Sequence, residues 1–374
     1  MSVSTENLES TPVTPRAALG KLPRYAAGKP PAVVEGIQSY KLSSNENPLP
    51  PLPEVLAAIS DFEAINRYPE PTAAPVRAAL AELLDVPAED IVMGTGGLGA
   101  FNQILAVFAG SNDNGEPDEV IYPWRSFEAY PISVGLTGAE SVQVPLASGG
   151  RHDLAAMAAA ITERTKVIVL CTPNNPTGPA LRTDEVEDFL NQVPARVVVV
   201  IDEAYHDLNR DPQMVKGLEM YRKYSNVVLL RTFSKAYGLA GLRIGYSISN
   251  PEITENLRIA ASPFTASSVA QEAAVASIEL HEKIIERVQT LVFERDRVLE
   301  GIRALGWDIP DAQGNFIWLN LAENSLEFAA LAEKNGIAVR PFAGDGVRVS
   351  IGEVEANTRF LEICASYTKA PLAS

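Results

Sequence analysis

Lys235 is the most informative residue of the sequence. It lies within residues 231–246 (RTFSKAYGLAGLRIGY), where its neighbours are small, hydroxyl-bearing or apolar, and where an apolar run typical of a buried strand has just ended. Burial disfavours an ammonium ion, so a lysine in such surroundings can supply a neutral amine that condenses with an aldehyde. An isolated Ser-Lys pair is more often a solvated lysine at a strand end, but the whole segment favours a lysine that forms a Schiff base.

The same segment carries groups that suit a phosphate. Arg243 can return to the pocket of Lys235 because two glycines between them allow the chain to turn tightly. Thr232 and Ser234 add hydroxyl groups close to the lysine. An arginine with two hydroxyls predicts a site for a phosphorylated aldehyde cofactor.

A second motif, residues 197–205, runs from a continuous apolar strand straight into Asp202. A buried carboxylate needs a cationic partner, and in a pyridoxal enzyme that partner is the protonated ring nitrogen, which lets the ring accept electrons from the substrate. Tyr205 can then bond the phenolic oxygen of the ring. Taken alone, Asp202 is equally well read as a helix N-cap or an ion-pair partner, and Glu203 beside it is interpreted as structural.

A third motif, residues 171–178 (CTPNNPTG), closes the preceding strand with two prolines and a glycine. Such a rigid turn aims its asparagine amides at the carboxyl edge of the sheet, where α/β proteins bind ligands. Asn175 could donate to the phenolic oxygen of the cofactor and stabilise its anion. Without the other motifs this segment would be only a turn.

An α/β domain must position these motifs. From about residue 53, short β-branched runs alternate with helical stretches, which is typical of a mostly parallel sheet flanked by helices. The predicted strands are residues 91–93, 119–122, 141–145, 166–171, 196–202 and 226–231. The last three are continuously apolar, which predicts burial on both faces.

After residue 251 the pattern changes to long amphipathic helices, which predicts a second, smaller α+β domain. The expected organisation is a disordered tail (1–19), an N-terminal arm with part of the small domain (20–50), a large cofactor-binding domain (51–265) and a C-terminal small domain (266–374).

Composition narrows the function further. The net charge of −16 would repel nucleic-acid phosphates and anionic lipid surfaces, so neither is an expected partner. Two distant cysteines and the absence of a signal-like or spanning apolar segment favour a reducing cytoplasm. The histidines are scattered without metal-ligand spacing, so no metal is predicted. Trp124, Tyr130 and Phe264 are interpreted as ordinary core aromatics.

Together, the Asn-Pro-Thr-Gly turn, the Asp-x-x-Tyr strand end and the Ser-Lys…Arg segment resemble the type I fold pyridoxal-phosphate aminotransferases. The resemblance is nearest to the histidinol-phosphate aminotransferase subfamily and its relatives, the actinobacterial aromatic (phenylalanine) aminotransferases, and covers residues 22–361. It implies the type I PLP-transferase fold, with pyridoxal 5'-phosphate as the cofactor.

The resemblance also implies roles for individual residues. Lys235 would carry the cofactor and move the substrate's Cα proton, and Asp202 would pair with the ring nitrogen. Asn175 and Tyr205 would bind the phenolic oxygen. The phosphate would be held by a further group of hydroxyl, guanidinium and backbone donors, namely Ser234, Arg243, Gly97 and Leu98, assisted by Thr232.

Five more positions match residues that surround the cofactor or substrate in that family. Phe127 matches the aromatic ring that stacks on the pyridine, and Arg348 matches the arginine that grips the substrate's anion. Tyr68 matches a tyrosine that reaches the phosphate in the neighbouring subunit, which implies a homodimer with shared active sites. Tyr25 and Asn47 match positions that line the substrate pocket.

Two departures bear on the substrate. Residues 94–99 (GTGGLG) replace the Asn-Gly-Ser-Asp-Glu usual in histidinol-phosphate enzymes, which leaves the phosphate donors open. Residues 123–130 (PWRSFEAY) look like the aromatic aminotransferases. The expected substrates are therefore phenylalanine and tyrosine, with 2-oxoglutarate as acceptor, and histidinol phosphate is the alternative.

Two rival functions use the same residues differently. The glycines of residues 94–99 also satisfy the G-x-G-x-x-G pattern of NAD-dependent dehydrogenases, but the next predicted strand does not end in the acid that would hold a ribose. A pyridoxal decarboxylase or lyase would share every cofactor residue. Arg348 favours transamination, because a carboxylate held in the ring plane leaves the Cα–H bond perpendicular to it.

Overall fold

The computed structural model describes residues 14–111 and 114–369. Its helices are α1 (Pro53–Ser60), α2 (Ala74–Leu84), α3 (Gly96–Phe108), α4 (Ala129–Thr137), α5 (Leu154–Ala159), α6 (Thr183–Leu190), α7 (Gly217–Lys223), α8 (Pro251–Ala260), α9 (Ser268–Glu279), α10 (His281–Ala304), α11 (Ser325–Lys334) and α12 (Val354–Ser366). Its strands are β1 (Tyr40–Lys41), β2 (Ile91–Thr95), β3 (Glu119–Trp124), β4 (Glu140–Pro145), β5 (Thr165–Cys171), β6 (Val198–Asp202), β7 (Val227–Thr232), β8 (Ile244–Ser249), β9 (Phe316–Leu319), β10 (Ile337–Ala338), β11 (Arg340–Phe342) and β12 (Gly346–Ser350).

A seven-stranded sheet in the order β2-β8-β7-β6-β5-β3-β4 forms the centre of the fold. Each of the six strands predicted in this region has its counterpart within two residues. The seventh, β8, was not predicted, and it runs antiparallel to both of its neighbours. The sheet is otherwise parallel, so the predicted α/β class is confirmed.

Both faces of this sheet are covered, as the continuously apolar strands predicted. Along β5, Val167 and Val169 pack with α3, α4 and α8, whereas Ile168 and Leu170 pack on the opposite side with α1, α2, α6, α7 and α9. Successive side chains of a strand point to opposite faces, so a strand buried on both sides must be apolar at every position. Burial therefore explains the unbroken runs of valine, isoleucine and leucine.

A separate hydrophobic cluster lies under the antiparallel sheet β11-β12-β9 and includes residues of α10, α11 and α12. β1, near the start of the described chain, pairs in parallel with β10. Helix α9 packs instead against α1 and α2 and contributes to the large-sheet cluster. The proposed division into two domains remains a prediction, and this packing favours a boundary at the start of α10.

The predicted tail falls mainly outside the described residues, since residues 1–13 are not among them. The described part of it enters a short 3-10 helix, Ala17–Lys21, which lies against α4. No helix within residues 14–111 and 114–369 is both long and apolar enough to cross a membrane.

The carboxyl ends of the parallel strands meet at one edge of the large sheet, which is where such sheets bind ligands. The motifs with Asn175, Asp202 and Lys235 follow β5, form the end of β6 and follow β7, respectively. β8 then begins at this same edge, because it is antiparallel, and pairs Gly245 with Thr232. The chain between β7 and β8 is thus a loop whose two ends are fixed by sheet hydrogen bonds.

Candidate active site

A cavity of about 340 Å³ lies at this edge of the sheet. Its lining includes most of the predicted site residues, namely Tyr25, Gly97, Leu98, Phe127, Asn175, Asp202, Tyr205, Thr232, Ser234, Lys235 and Arg243. Separate stretches of sequence, from Tyr25 to Arg243, therefore meet around one space. Three predicted residues, Asn47, Tyr68 and Arg348, are not part of this lining.

Lys235 directs its amine toward this cavity rather than into bulk water. Its Nζ donates to the carbonyl oxygen of Asn45 at 3.1 Å and lies 5.5 Å from the centre of the Tyr205 ring. Burial, reinforced by the positive charge of Arg348, lowers the pKa of the Lys235 ammonium to about 7. Burial therefore favours the uncharged amine, which is the nucleophilic form.

Asp202 is buried at the end of β6 and accepts two hydrogen bonds. Its Oδ1 accepts from the backbone N–H of Ala204 at 3.1 Å, and its Oδ2 accepts from the hydroxyl of Tyr130 at 2.6 Å. Burial raises the pKa of the carboxyl, while the bond from Tyr130 opposes that rise. Tyr130 was interpreted as a core residue, and it is fully buried, but its hydroxyl also orients the acid.

Asn175 and Arg348 form one unit beside the cavity. The Nη1 of Arg348 donates to the Oδ1 of Asn175 at 2.6 Å, and Nη2 donates to the carbonyl oxygen of Ser43 at 2.9 Å. The amide NH₂ of Asn175 has no acceptor in the part of the chain that the structure describes. The Nε of Arg348 is buried without a partner among the described residues.

The start of α3 presents a cradle of donors that could hold a phosphate. Gly97 and Leu98 lie in its first turn, where backbone N–H groups lack intrahelical acceptors. Gly96 has φ +72°, and a Cβ built there would lie 2.4 Å from the Nη2 of Arg243, so the guanidinium occupies the space that any side chain would need. The Nη1 of Arg243 also lies 3.4 Å from the Oγ of Ser234.

Thr232 completes the cradle on the β7 side. Its hydroxyl donates to the Oγ of Ser234 at 2.9 Å and accepts the backbone N–H of Ser234 at 3.1 Å. Gly245 lies opposite, and a Cβ there would come within 2.5 Å of the backbone nitrogen of Gly97. The close approach of β8 to α3 thus depends on the absence of a side chain at Gly245.

Two aromatic rings border the cavity at the end of β3. Phe127 packs edge-on against the buried ring of Tyr130, with centroids 5.6 Å apart. Tyr25, from the N-terminal segment, approaches Phe127 at 6.5 Å in a similar edge-on arrangement. These rings give the cavity an apolar side next to the polar motifs.

Asn45 is the main site residue that sequence reasoning missed. Its Nδ2 donates to the hydroxyl of Tyr205 at 3.0 Å, and its backbone and side chain both bond the hydroxyl of Ser350 on β12. The neighbouring Asn47, predicted to line the substrate pocket, donates instead to the carbonyl oxygens of Lys235 and Ala236. No sequence signal distinguished these two asparagines.

Tyr68 lies on the surface, away from the cavity lining. Its side chain is 83% exposed and stacks on Phe264, with centroids 4.6 Å apart and planes 20° apart. Phe264, interpreted as a core residue, is itself 40% exposed. This exposed aromatic pair bears on the predicted homodimer.

The glycine-rich segment does not have the setting of a dinucleotide site. It joins β2 to α3, and β2 is an edge strand whose neighbour β8 runs antiparallel to it. In dinucleotide-binding sheets the corresponding strand pairs with parallel neighbours near the point where the strand order reverses. The topology therefore argues against the dehydrogenase alternative.

The donor set as a whole fits pyridoxal 5'-phosphate. The cradle at α3 matches a phosphate, Asp202 matches a protonated ring nitrogen, and Lys235 supplies the amine. No side chain forms an ion pair with Asp202 within the described ranges, so a cationic ring nitrogen would give this buried acid its missing partner. Among the same residues no group of histidine, cysteine and acidic side chains is arranged to hold a metal ion.

Comparisons with known proteins agree with this reading. The profile of the family described as aminotransferase class I and II matches residues 38–369. An aromatic amino acid aminotransferase of Streptomyces avermitilis is 50% identical over 95% of this chain and 97% of its own length. A Thermobifida fusca protein of the same description is 48% identical over 96% and 99%, respectively.

Among solved structures, the histidinol-phosphate aminotransferase of Sinorhizobium meliloti in complex with pyridoxal 5'-phosphate has a TM-score of 0.79, with 26% identity over 88% of this chain and 90% of its own. An aspartate aminotransferase of Thermus thermophilus has a TM-score of 0.77 at 24% identity, covering 88% and 92%, and supports the fold alone. The resemblance and fold expected from the motifs are confirmed. The chain belongs to the class I and II aminotransferases.

Proposed function

We propose that the chain is a pyridoxal 5'-phosphate-dependent aminotransferase that moves the amino group of phenylalanine or tyrosine to 2-oxoglutarate. The observation that carries the proposal is the amine of Lys235, with its pKa lowered to about 7, in one cavity with Asp202 and the Arg243 cradle. The 44–50% identity to proteins described as aromatic amino acid aminotransferases supports the aromatic substrate.

When bound, pyridoxal 5'-phosphate supplies an electrophilic aldehyde and a ring that accepts electrons from the substrate's Cα. Lys235 would carry out the proton transfer, because its uncharged Nζ can accept the Cα proton and return it. Asp202 holds a proton at the ring nitrogen and is itself held by Tyr130. Asn175 and Tyr205 offer an amide and a hydroxyl hydrogen to the phenolic oxygen.

Arg348 suits the substrate carboxylate. Its two Nη groups are fixed by Asn175 and Ser43, so the side chain is already oriented, and each Nη keeps a second hydrogen that a carboxylate could accept. A carboxylate held there would leave the Cα–H bond, rather than the bond to the carboxylate, as the one that the cofactor activates. This geometry favours transamination over decarboxylation.

The substrate side chain would meet the apolar side of the cavity. Phe127 would stack on the cofactor ring in this proposal, and Tyr25, about half exposed, lies edge-on to Phe127. An aromatic side chain that packs edge-on against these rings gains apolar burial and ring contacts. A phosphate in the same place would gain neither.

A substrate panel tests the proposal. With 2-oxoglutarate as acceptor, kcat/KM for phenylalanine should exceed that for histidinol phosphate by about tenfold or more, because one well-placed ring contact adds about 1.4 kcal/mol or more. The purified protein should have a visible absorption band that borohydride removes. A higher kcat/KM for histidinol phosphate would overturn the aromatic assignment, and a colourless protein that consumes a nicotinamide cofactor would overturn the whole proposal.

We also propose that the enzyme is a homodimer in which Tyr68 bonds the cofactor phosphate of the other subunit. The support is the exposed Tyr68–Phe264 stack; Ile65, three residues before Tyr68, and Ile259, five residues before Phe264, are also largely exposed. Large apolar side chains exposed together often mark an interface between proteins. A second copy would cover them.

Hybrid dimers test this arrangement. Tyr68→Ala should weaken cofactor binding about tenfold or more, because a hydrogen bond to a charged group contributes about 1.5–3 kcal/mol. Hybrids of Tyr68→Ala with Lys235→Ala subunits should regain wild-type affinity at one site, since that site combines an intact Lys235 with an intact Tyr68. Tyr68→Phe homodimers provide the control for the hydroxyl alone. Hybrids with no wild-type site would mean that Tyr68 serves its own subunit.

A further inference from the structure

Asn45 connects the two parts of the active site. It is only 1% exposed, and its φ of +52° places it in the left-handed region, which asparagine tolerates better than most residues. Its hydrogen bonds reach Tyr205 and Lys235 on the large-sheet side and Ser350 on β12. A buried residue in a rare backbone conformation with this many partners is held in a single orientation.

Ser350 determines which way the amide of Asn45 faces. The Ser350 Oγ accepts the backbone N–H of Asn45 at 2.7 Å and donates its hydrogen to the Oδ1 of Asn45 at 2.9 Å. A serine hydroxyl has one hydrogen, so its only donor capacity is directed at Oδ1. If the amide were turned over, that buried hydrogen would have no acceptor, at a loss of about 1–3 kcal/mol.

The orientation of Asn45 in turn decides what Tyr205 can do. The Nδ2 of Asn45 donates to the Tyr205 hydroxyl at 3.0 Å, so Tyr205 uses a lone pair there and keeps its own hydrogen. The ring is fixed by edge-on packing on Phe316, with centroids 5.0 Å apart. Tyr205 also lines the cavity, so its hydrogen is available to an acceptor bound there.

We propose that Asn45, oriented by Ser350, is a positioning residue that keeps Tyr205 a hydrogen-bond donor to the phenolic oxygen of the cofactor. This inference rests on the proposed function. It adds that Asn45 and Ser350 determine where the hydroxyl hydrogen of Tyr205 points. Ser350 lies two residues beyond Arg348 on β12, so both side chains emerge from the same face of that strand. Strand β12 thus carries both Arg348 and the serine that, through Asn45, keeps the Tyr205 hydroxyl a hydrogen-bond donor.

Two double-mutant cycles test the proposal through the pH dependence of the cofactor's visible absorption band. A hydrogen bond donated to the phenolic oxygen stabilises its anion and lowers the pKa read from that band. Asn45→Asp places a carboxylate that accepts the Tyr205 hydrogen, and aspartate also tolerates the left-handed backbone. Ser350→Ala tests the same step without adding a charge, because it removes only the hydroxyl that holds the amide of Asn45 in its orientation. Each is made in the wild-type and in the Tyr205→Phe background.

The expected results are differences between the two backgrounds. Tyr205→Phe alone should raise the pKa of the band by about one unit, the equivalent of one hydrogen bond. Asn45→Asp should raise it by about one unit more in the wild-type background than in Tyr205→Phe, where only the added charge acts. Ser350→Ala should raise the pKa of the band in the wild-type background and leave that pKa unchanged in the Tyr205→Phe background.

Equal shifts in the two backgrounds would overturn the inference, because the mutations would then act independently of Tyr205. If Asn45→Asp does not fold, the Ser350→Ala cycle decides alone. Thermal unfolding of each apoprotein serves as the folding check. Failure of the proposed function has a different signature, since a wild-type protein that binds no coloured cofactor would give no band to titrate.

Discussion

Lys235→Ala should bind pyridoxal 5'-phosphate and still lose turnover of phenylalanine by about 10⁴-fold or more. In the proposed function, the substitution removes both the nucleophile and the group that moves the Cα proton. The phosphate cradle of Gly97, Ser234 and Arg243 is untouched, so cofactor affinity should fall much less than the rate. The measurement is single-turnover kinetics with saturating phenylalanine, together with equilibrium binding of the cofactor.

A matched control is Lys216→Ala, which removes a lysine that is largely exposed and outside the active-site cavity. It should keep the wild-type rate.

Small primary amines such as methylamine should restore part of the activity of Lys235→Ala, because the truncated side chain leaves room for a free amine. Turnover of Lys235→Ala within tenfold of wild type would contradict the assignment of Lys235 as the proton-transfer group.

Asp202→Asn should lower kcat by about 10²–10³-fold, the range for loss of one preorganised electrostatic group in an active site. Asparagine keeps the shape of the side chain; its Oδ1 can still accept from the backbone N–H of Ala204, and its Nδ2 can donate to the hydroxyl oxygen of Tyr130, so the local structure should persist. What it lacks is the negative charge that holds a proton on the ring nitrogen. The rate of Cα proton removal, followed with deuterated phenylalanine, measures this step directly.

Tyr130→Phe is the graded comparison for Asp202→Asn. It removes only the 2.6 Å hydrogen bond to Asp202, which should lower kcat by about five- to tenfold, the equivalent of about 1–1.5 kcal/mol. An Asp202→Asn enzyme with the wild-type rate would show that the acid does not act on the ring. If Tyr130→Phe were as damaging as Asp202→Asn, the hydroxyl itself would have to contact the cofactor.

The residues that sequence reasoning found are those that lie next to strand ends. Asp202, Asn175 and Lys235 each lie at or just after an apolar run, and parallel strands bring their carboxyl ends to one edge. Their approximate placement therefore follows from local pattern and the general geometry of such sheets. The six predicted strands were found for the same reason, because burial on both faces leaves a continuous apolar signal.

The features that were not predicted depend on contacts between residues far apart in the sequence, which local sequence patterns do not reveal. Asn45 meets Tyr205 across 160 residues and Ser350 across 305, and Tyr130 meets Asp202 across 72. β8 was overlooked because residues 244–249 continue directly from the phosphate motif, and nothing in a short apolar run tells whether it is parallel or antiparallel. Burial of Tyr130 was predictable from its type, whereas the partner of its hydroxyl was not.

The antiparallel course of β8 has a consequence for how this enzyme can vary in length. Lys235 and Arg243 lie on a connection whose ends are paired as Thr232 with Gly245, so the spacing between the amine and the guanidinium is set by hydrogen-bond register. An insertion there could not be absorbed at the surface, since it would move Lys235 relative to Arg243. The connection should tolerate no added residue, and peptide tags or fused domains belong elsewhere.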